Sequence, residues 1–180
     1  PVNNDDSLIF SKVKYRSVGP YRGGRSGAAV GDFNQKNTFY FGSAGGGVLK
    51  TLDAGSNWKN ITDKYFGGSI GCVSIAPSDP TILYVGEGES TLRGDVGEGI
   101  GIWRTDDGGR SWRNLGLKDT RHIIRIIIHP KNQDEVWVAA IGHLVGPNEE
   151  RGIFKTTDGG KTWKKVVYVN DQTGCSDVIR

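Results

Sequence analysis

One ten-residue pattern occurs three times and limits what this chain can fold into. The copies are Leu49-Lys-Thr-Leu-Asp53-Ala-Gly55-Ser-Asn-Trp58, Trp103-Arg-Thr-Asp-Asp107-Gly-Gly109-Arg-Ser-Trp112 and Phe154-Lys-Thr-Thr-Asp158-Gly-Gly160-Lys-Thr-Trp163. Each reads bulky apolar residue, Lys or Arg, Thr, any residue, Asp, any residue, Gly, two further residues, Trp. The tryptophans lie 54 and 51 residues apart. A period near 50 residues marks a repeat architecture, in which each unit buries its faces against its neighbours.

Between the copies run short stretches rich in β-branched and aromatic residues, bounded by Gly, Asp, Asn and Pro, and none carries a helical period. They predict an all-β chain with four strands per unit: 26–33, 38–43, 47–52 and 57–62, then 70–76, 81–86, 100–105 and 111–116, then 122–129, 135–141, 152–157 and 162–168. Four-stranded antiparallel units of this length are blades of a β-propeller. The expected organisation is a lead-in segment over 1–17, blades over 18–62, 66–117 and 120–168, and the start of a fourth over 173–180. Three blades and a fraction fall short of the ~4–8 that close a ring. The expectation is therefore the N-terminal part of a larger propeller, whose remaining blades are its first partners.

The motif has a structural reason for every residue. Asp accepts hydrogen bonds from turn amides, Gly takes the positive φ of a tight hairpin, Thr joins the same network, and Trp fills the space between sheets. Asp53, Gly55, Trp58, Asp107, Gly109, Trp112, Asp158, Gly160 and Trp163 are thus read as structural; one catalytic acid or calcium site does not recur in every blade. Asp-x-Gly-x-x-Trp resembles the Asp-box, or BNR repeat, of sialidases, xyloglucan-hydrolysing propellers, sortilin-type receptors and photosystem II assembly factors. The chain as a whole, with Gly19-Pro-Tyr-Arg22-Gly-Gly-Arg25, looks most like the N-terminal blades of bacterial sortilin/BNR-type proteins that carry a glycosyl-hydrolase label. That resemblance implies a secreted or periplasmic location and a ligand face away from the Asp-boxes.

Length changes between units fall almost wholly between strands two and three, at Glu87–Gly99 and Gly142–Gly152. In a repeat array such insertions gather on one face, often the binding face. The expected ligand-binding residues are Arg22, Arg25, Arg93, Asp95, Arg125, His143 and Glu149. Tyr65, Phe66, Asp119, Arg121 and Asp171 would be added by the loops that join consecutive units. Arg22 or Arg25 is the nearest match to an anion-binding arginine of sialidases, although their Ile-Pro is missing. Arg125 interrupts the apolar run Ile123–Ile128, where a cation needs a partner or water.

Catalytic residues are not expected in the chain. Xyloglucan-hydrolysing propellers place an early aspartate just after the second strand of the first blade, and Gly42-Ser43-Ala44-Gly45-Gly46-Gly47 stands there. His122, His129 and His143 lack metal-ligand spacing, so neither metal nor cofactor is expected. Net charge is +3 with both signs interspersed, unlike the basic patch of a nucleic-acid binder, and no apolar run approaches a membrane span. Cys72 and Cys175 fall two units apart and are expected to be free. The leading functional reading is a non-catalytic scaffold for a protein, peptide or glycan. The alternative is part of a secreted glycoside hydrolase, sialidase- or xyloglucanase-like, whose catalytic residues lie partly elsewhere.

Overall fold

The computed structural model describes residues 25–91 and 93–179. The expected lead-in segment over 1–17 and the candidate Arg22 lie outside the described residues.

Three four-stranded antiparallel sheets follow one another along the chain. The first holds β1 (Ser26–Gly31), β2 (Phe39–Ser43), β3 (Val48–Thr51) and β4 (Lys59–Asn60). The second holds β5 (Ile70–Ala76), β6 (Asp79–Glu87), β7 (Ile102–Thr105) and β8 (Arg113–Asn114). The third holds β9 (Ile123–His129), β10 (Asn132–Ala140), β11 (Gly152–Thr156) and β12 (Lys164–Val167). Each sheet is ordered as the chain runs. These are propeller blades in an incomplete ring, and all twelve predicted strands are present. The first two outer strands are only 2 residues long, and the third has 4.

Two apolar clusters lie between the blades. One joins the first and second sheets through Tyr40, Val48, Ile70, Leu83 and Trp112. The other joins the second and third through Tyr84, Ile102, Ile123, Val138 and Phe154. Close approach of the inner strands needs glycine. A Cβ on Gly71 would lie 2.2 Å from the Ile123 carbonyl oxygen, and one on Gly27 would lie 2.1 Å from that of Ile70. Both cysteines are free. Burial pushes the Cys72 thiol up to about 12, leaving it a packing residue.

The repeated motif forms the same hairpin turn three times. Thr Oγ1 donates to Asp Oδ1 at 2.8, 2.7 and 2.7 Å and accepts the Gly N–H at 2.9, 3.0 and 3.0 Å. The carboxylate also takes bonds from Asn57, Ser111 and Thr162, each four residues on. Gly55, Gly109 and Gly160 hold φ of 95°, 94° and 88°.

Trp112 and Trp163 face the preceding blade. Trp112 Nε1 donates to the Ile61 carbonyl at 3.0 Å, and Trp163 Nε1 to the Leu115 carbonyl at 2.9 Å. Trp58 differs: it is 44% exposed, against 7% for Trp112, and meets the Phe41 ring of its own sheet. The expected inter-sheet role therefore holds for two of the three tryptophans.

The Lys or Arg of the first two motifs makes the reciprocal contact, toward the following blade; the third, Lys155, stays within its own sheet, over Trp137 and paired with Glu135. Lys50 lies over the Tyr40 ring and donates to the Gly108 carbonyl at 3.1 Å. Arg104 lies over Tyr84 and binds its hydroxyl at 2.6 Å, Asp134 at 2.6 Å and the Gly159 carbonyl at 3.5 Å. A motif cation and a second-strand aromatic thus form a latch onto the next hairpin.

Candidate functional site

Hydrogen bonds divide the blades into two ends. At one end the motif hairpins meet the turn before the second strand or that strand's first residues, through Ala54 N–H to Asn37 O, Gly108 N–H to Thr81 O and Gly159 N–H to Asp134 O. At the other, the long loops after β6 and β10 meet the segments that join one blade to the next. Gly88 N–H binds Ser69 O, Gly99 N–H binds Arg121 O and Asn148 N–H binds Asp171 O. The two insertions therefore share an end with the inter-blade loops, opposite the hairpins.

The 88–100 loop is built around two buried glutamates. Glu87 accepts the Trp103 indole N–H at 2.8 Å and the Ile100 amide at 3.3 Å. Burial raises its carboxyl above the usual range despite those bonds. Glu89 pairs with Arg25 at 3.0 Å and with Arg93. Its main-chain oxygen faces His122 Nδ1 at 3.1 Å. A carbonyl only accepts, so Nδ1 carries the proton and the Nε2 lone pair is the group that titrates. His122 is fully buried and Nε2 is without a partner; desolvation lowers its proton affinity. Glu98 and Arg121 add an exposed pair at the loop's edge.

The 142–151 loop is held by Arg151, a residue sequence reasoning passed over. Its guanidinium donates to His143 O at 2.8 Å, Gly146 O at 3.1 Å and Gln172 O at 3.1 Å, and Asn148 binds the main chain of His143.

The predicted site residues fall into three groups. Arg25 and Arg93 are brought together on Glu89, with Asp95 at 3.9 Å from Arg93 and largely exposed. His143 and Glu149 stand on the second loop, where the Glu149 carbonyl accepts a bond from Lys165. Arg125 belongs to neither group. It lines a cleft of about 760 Å³ along the inner strands, with Val30, Ser74, Ile127 and Ile179, and pairs with Asp177 at 3.4 Å.

Two expectations are corrected. Phe66 is core rather than ligand face: it is buried and stacks on Trp103 with centroids 4.6 Å apart. Tyr65, expected beside it on the ligand face, donates its hydroxyl to the Arg110 carbonyl of the second hairpin at 3.3 Å. Glu87 and Glu89, although they flank and enter an inserted loop, are only 2% and 6% exposed. Among the described residues no three His, Cys, Asp or Glu side chains are grouped to hold a metal. No helix there is long and apolar enough to cross a membrane.

Sheet order, inter-blade packing and the two-ended loop arrangement define the class as a segment of a β-propeller. No family model matches the chain. Over 134 residues it is 28% identical to a xyloglucanase of Hypocrea jecorina, covering 67% of this chain and 15% of that protein. Over 144 residues it is 26% identical to xyloglucanase Xgh74A of Acetivibrio thermocellus, covering 67% of this chain and 16% of that one. The chain thus spans under a fifth of the length of these curated relatives.

Solved structures give the same architecture. An ancestral GH74 enzyme superposes with a TM-score of 0.68 at 22% identity, covering 88% of this chain and 20% of that one. The GH74 xyloglucanase from Xanthomonas campestris gives 0.58 at 21%, covering 84% and 22%. YCF48 from Cyanidioschyzon merolae gives 0.56 at 19%, covering 81% and 38%. At these identities the likeness is one of fold.

Proposed function

We propose that this chain is a segment of a carbohydrate-binding propeller of the xyloglucanase-like kind, and that the end carrying the 88–100 and 142–151 loops contacts the glycan. The observation that carries this reading is the alignment with two xyloglucanases across two thirds of the chain. The hairpins are taken as Asp-boxes of the BNR type, and a secreted or periplasmic location follows from the same likeness. Asp95 and His143 supply polar contacts to sugar hydroxyls. Arg25 and Arg93, fixed on Glu89, hold the loop that presents Asp95. Glu149 lies on the second loop, and Arg125 faces whatever enters the inner cleft; Arg22 is kept as a candidate beside Arg25.

Hydrolysis by paired carboxylates needs two acids about 5–9.5 Å apart. Glu87 and Glu89 are engaged by Trp103, Ile100, Arg25 and Arg93, and the connection after β2 is Ser43–Gly47, without a carboxylate. We therefore assign binding to this segment and leave any catalytic pair to other blades. The same observation favours a second reading, a non-catalytic scaffold for a protein or peptide.

Calorimetric titration of the protein with a xyloglucan oligosaccharide separates the two. The glycan reading expects binding, weakened about tenfold by Asp95→Ala with His143→Ala, the ~1.4 kcal/mol scale of one or two hydrogen bonds. No xyloglucan binding, or binding indifferent to both substitutions, rejects it.

A further inference from the structure

The two junctions between blades are built from corresponding positions, but only one is balanced in charge. In the second junction Arg104 meets Asp106 at 2.7 Å and Asp134 at 2.6 Å, and Arg113 pairs with Asp106 as well. Two carboxylates thus serve two guanidinium groups. The register of the repeat sets Lys50, Leu52 and Lys59 of the first junction against Arg104, Asp106 and Arg113. Thr81 stands against Asp134, because their carbonyls accept corresponding hairpin amides, those of Gly108 and Gly159. Both cations recur in the first junction; both carboxylates are replaced, by Leu52 and Thr81.

A cleft of about 750 Å³ occupies this unbalanced junction at the hairpin end, within the ~300–1,000 Å³ span of small-molecule sites. Lys64 and Arg110 join Lys50 and Lys59 along it. Asp63 and Asp107 are the carboxylates of its lining, and Asp107 is taken up by Thr105, Ser111 and the amides of its own turn. Lys59, Lys64 and Arg110 are exposed and form no ion pair among the described residues. Burial lowers the proton affinity of Lys50; Asp32 opposes this and the nearby Arg110 charge adds to it. Tyr65 is fixed beside these cations: its hydroxyl donates to the Arg110 carbonyl at 3.3 Å, and the residue is 40% exposed. Main-chain groups along the cleft are already engaged. Gly108 N–H binds Thr81 O, Gly108 O accepts Lys50, Ile61 N–H binds Val48 O, and Ile61 O accepts Trp112. An extended peptide, recognised through main-chain bonds, finds few here. A sugar ring needs none: its C–H face packs on an aromatic ring, and a carboxylate on it takes charge-assisted bonds from Lys and Arg.

We propose that this cleft binds an acidic saccharide, a uronic-acid oligomer whose carboxylates take the places that Asp106 and Asp134 fill in the second junction. Lys59, Lys64 and Arg110 supply the charge-assisted bonds, and Tyr65 supplies the stacking face. The cleft lies at the hairpin end, away from the loops assigned to xyloglucan. It is a second site, and its test is independent of that assignment.

Calorimetric titration of the chain with trigalacturonate at low salt tests the proposal. The parent should bind, and Lys64→Gln with Arg110→Gln should weaken binding about tenfold. Leu52→Asp is the sharper variant. It returns to the first junction the carboxylate that Asp106 gives the second, so it should compete with the ligand and weaken binding at least as much. All three positions are exposed, so each variant is expected to melt no lower than the parent. A parent that takes up no trigalacturonate, or an affinity unmoved by these substitutions, overturns the proposal. So does equal binding of the uncharged α-1,4-galactotriose, which would remove the carboxylate from recognition. Tighter binding of a hexa-aspartate peptide overturns it too, by making the cleft a peptide site.

Discussion

The two ends of the blades obey different rules. At the hairpin end, three copies of one sequence make one set of bonds, and charged side chains serve the turn or the neighbouring blade. At the loop end the connections between second and third strands differ in length and in what anchors them. The first blade turns tightly through Ser43–Gly47, the second sends out a loop anchored on Glu87 and Glu89, and the third one clamped by Arg151. A protein that keeps one end constant and varies the other has separated the fastening of its blades from the surface they present. That separation, and not any carboxylate in the repeated motif, locates the candidate site.

The largest test of the contrast lies within the hairpin end. Trp112→Ala removes an indole buried between blades and should cost about 3–5 kcal/mol. Trp58→Ala, at a face open among the described residues, should cost under about 1 kcal/mol. Urea denaturation of the two variants measures both. Equal losses would mean that Trp58 is already docked.

Next comes the anchor of the loop end. Glu89→Ala leaves Arg25 and Arg93 without their shared carboxylate. Both arginines are partly exposed, so solvent screens the loss to about 1–3 kcal/mol. The sharper readout is local: amide exchange should accelerate over 88–100 and stay unchanged at the hairpins.

The hairpin aspartates and the buried Glu87 of the loop end also differ in the sign of their pH dependence. Bonds from Asn57 and Thr51 hold Asp53 down at about 2. At Asp107, bonds from Ser111 and Thr105 outweigh an opposing burial effect, and Thr162 and Thr156 hold Asp158 down. A carboxyl depressed in the folded state stabilises above its unfolded value near ~3.9, and that contribution is lost as pH falls through the folded value. The hairpins should therefore weaken between about pH 4 and pH 2. Glu87 has the opposite sign: raised by burial, it costs stability once ionised, so Glu87→Gln should flatten the rise on acidification. His122, lowered by desolvation, stabilises the 88–100 loop while neutral. That contribution fades as pH falls below about 6.5 and through the folded value. Thermal melts across pH, compared with His122→Gln, would show it as a small additional slope.

The fold was legible because its signals are local. The short aromatic and β-branched runs at Phe39–Ser43 and Val136–Ala140 and the repeated Asp-x-Gly turns specify strands and hairpins without knowledge of partners. What was not legible depends on distant contacts. Tyr65-Phe66-Gly67-Gly68 has the composition of a surface loop, and Phe66 becomes core through Trp103 and Trp112, 37 and 46 positions on. Gly86-Glu87-Gly88-Glu89 likewise reads as solvated until Arg25 and Trp103 arrive. The motif's Lys50 and Arg104 recur visibly, yet their targets, Gly108 O and Gly159 O, belong to the following blade. The period near 50 residues held a clue, since a cation recurring beside a second-strand aromatic is a pairing that a repeat can preserve.

The central claim is that ligand meets the loop end and leaves the hairpin end untouched. Hydrogen–deuterium exchange of the protein with and without a xyloglucan oligosaccharide tests it directly. The account predicts slowed exchange over 88–100 and 142–151, with no change at the Asp53, Asp107 and Asp158 turns. Protection centred on those turns, with the two loops unaffected, would contradict it.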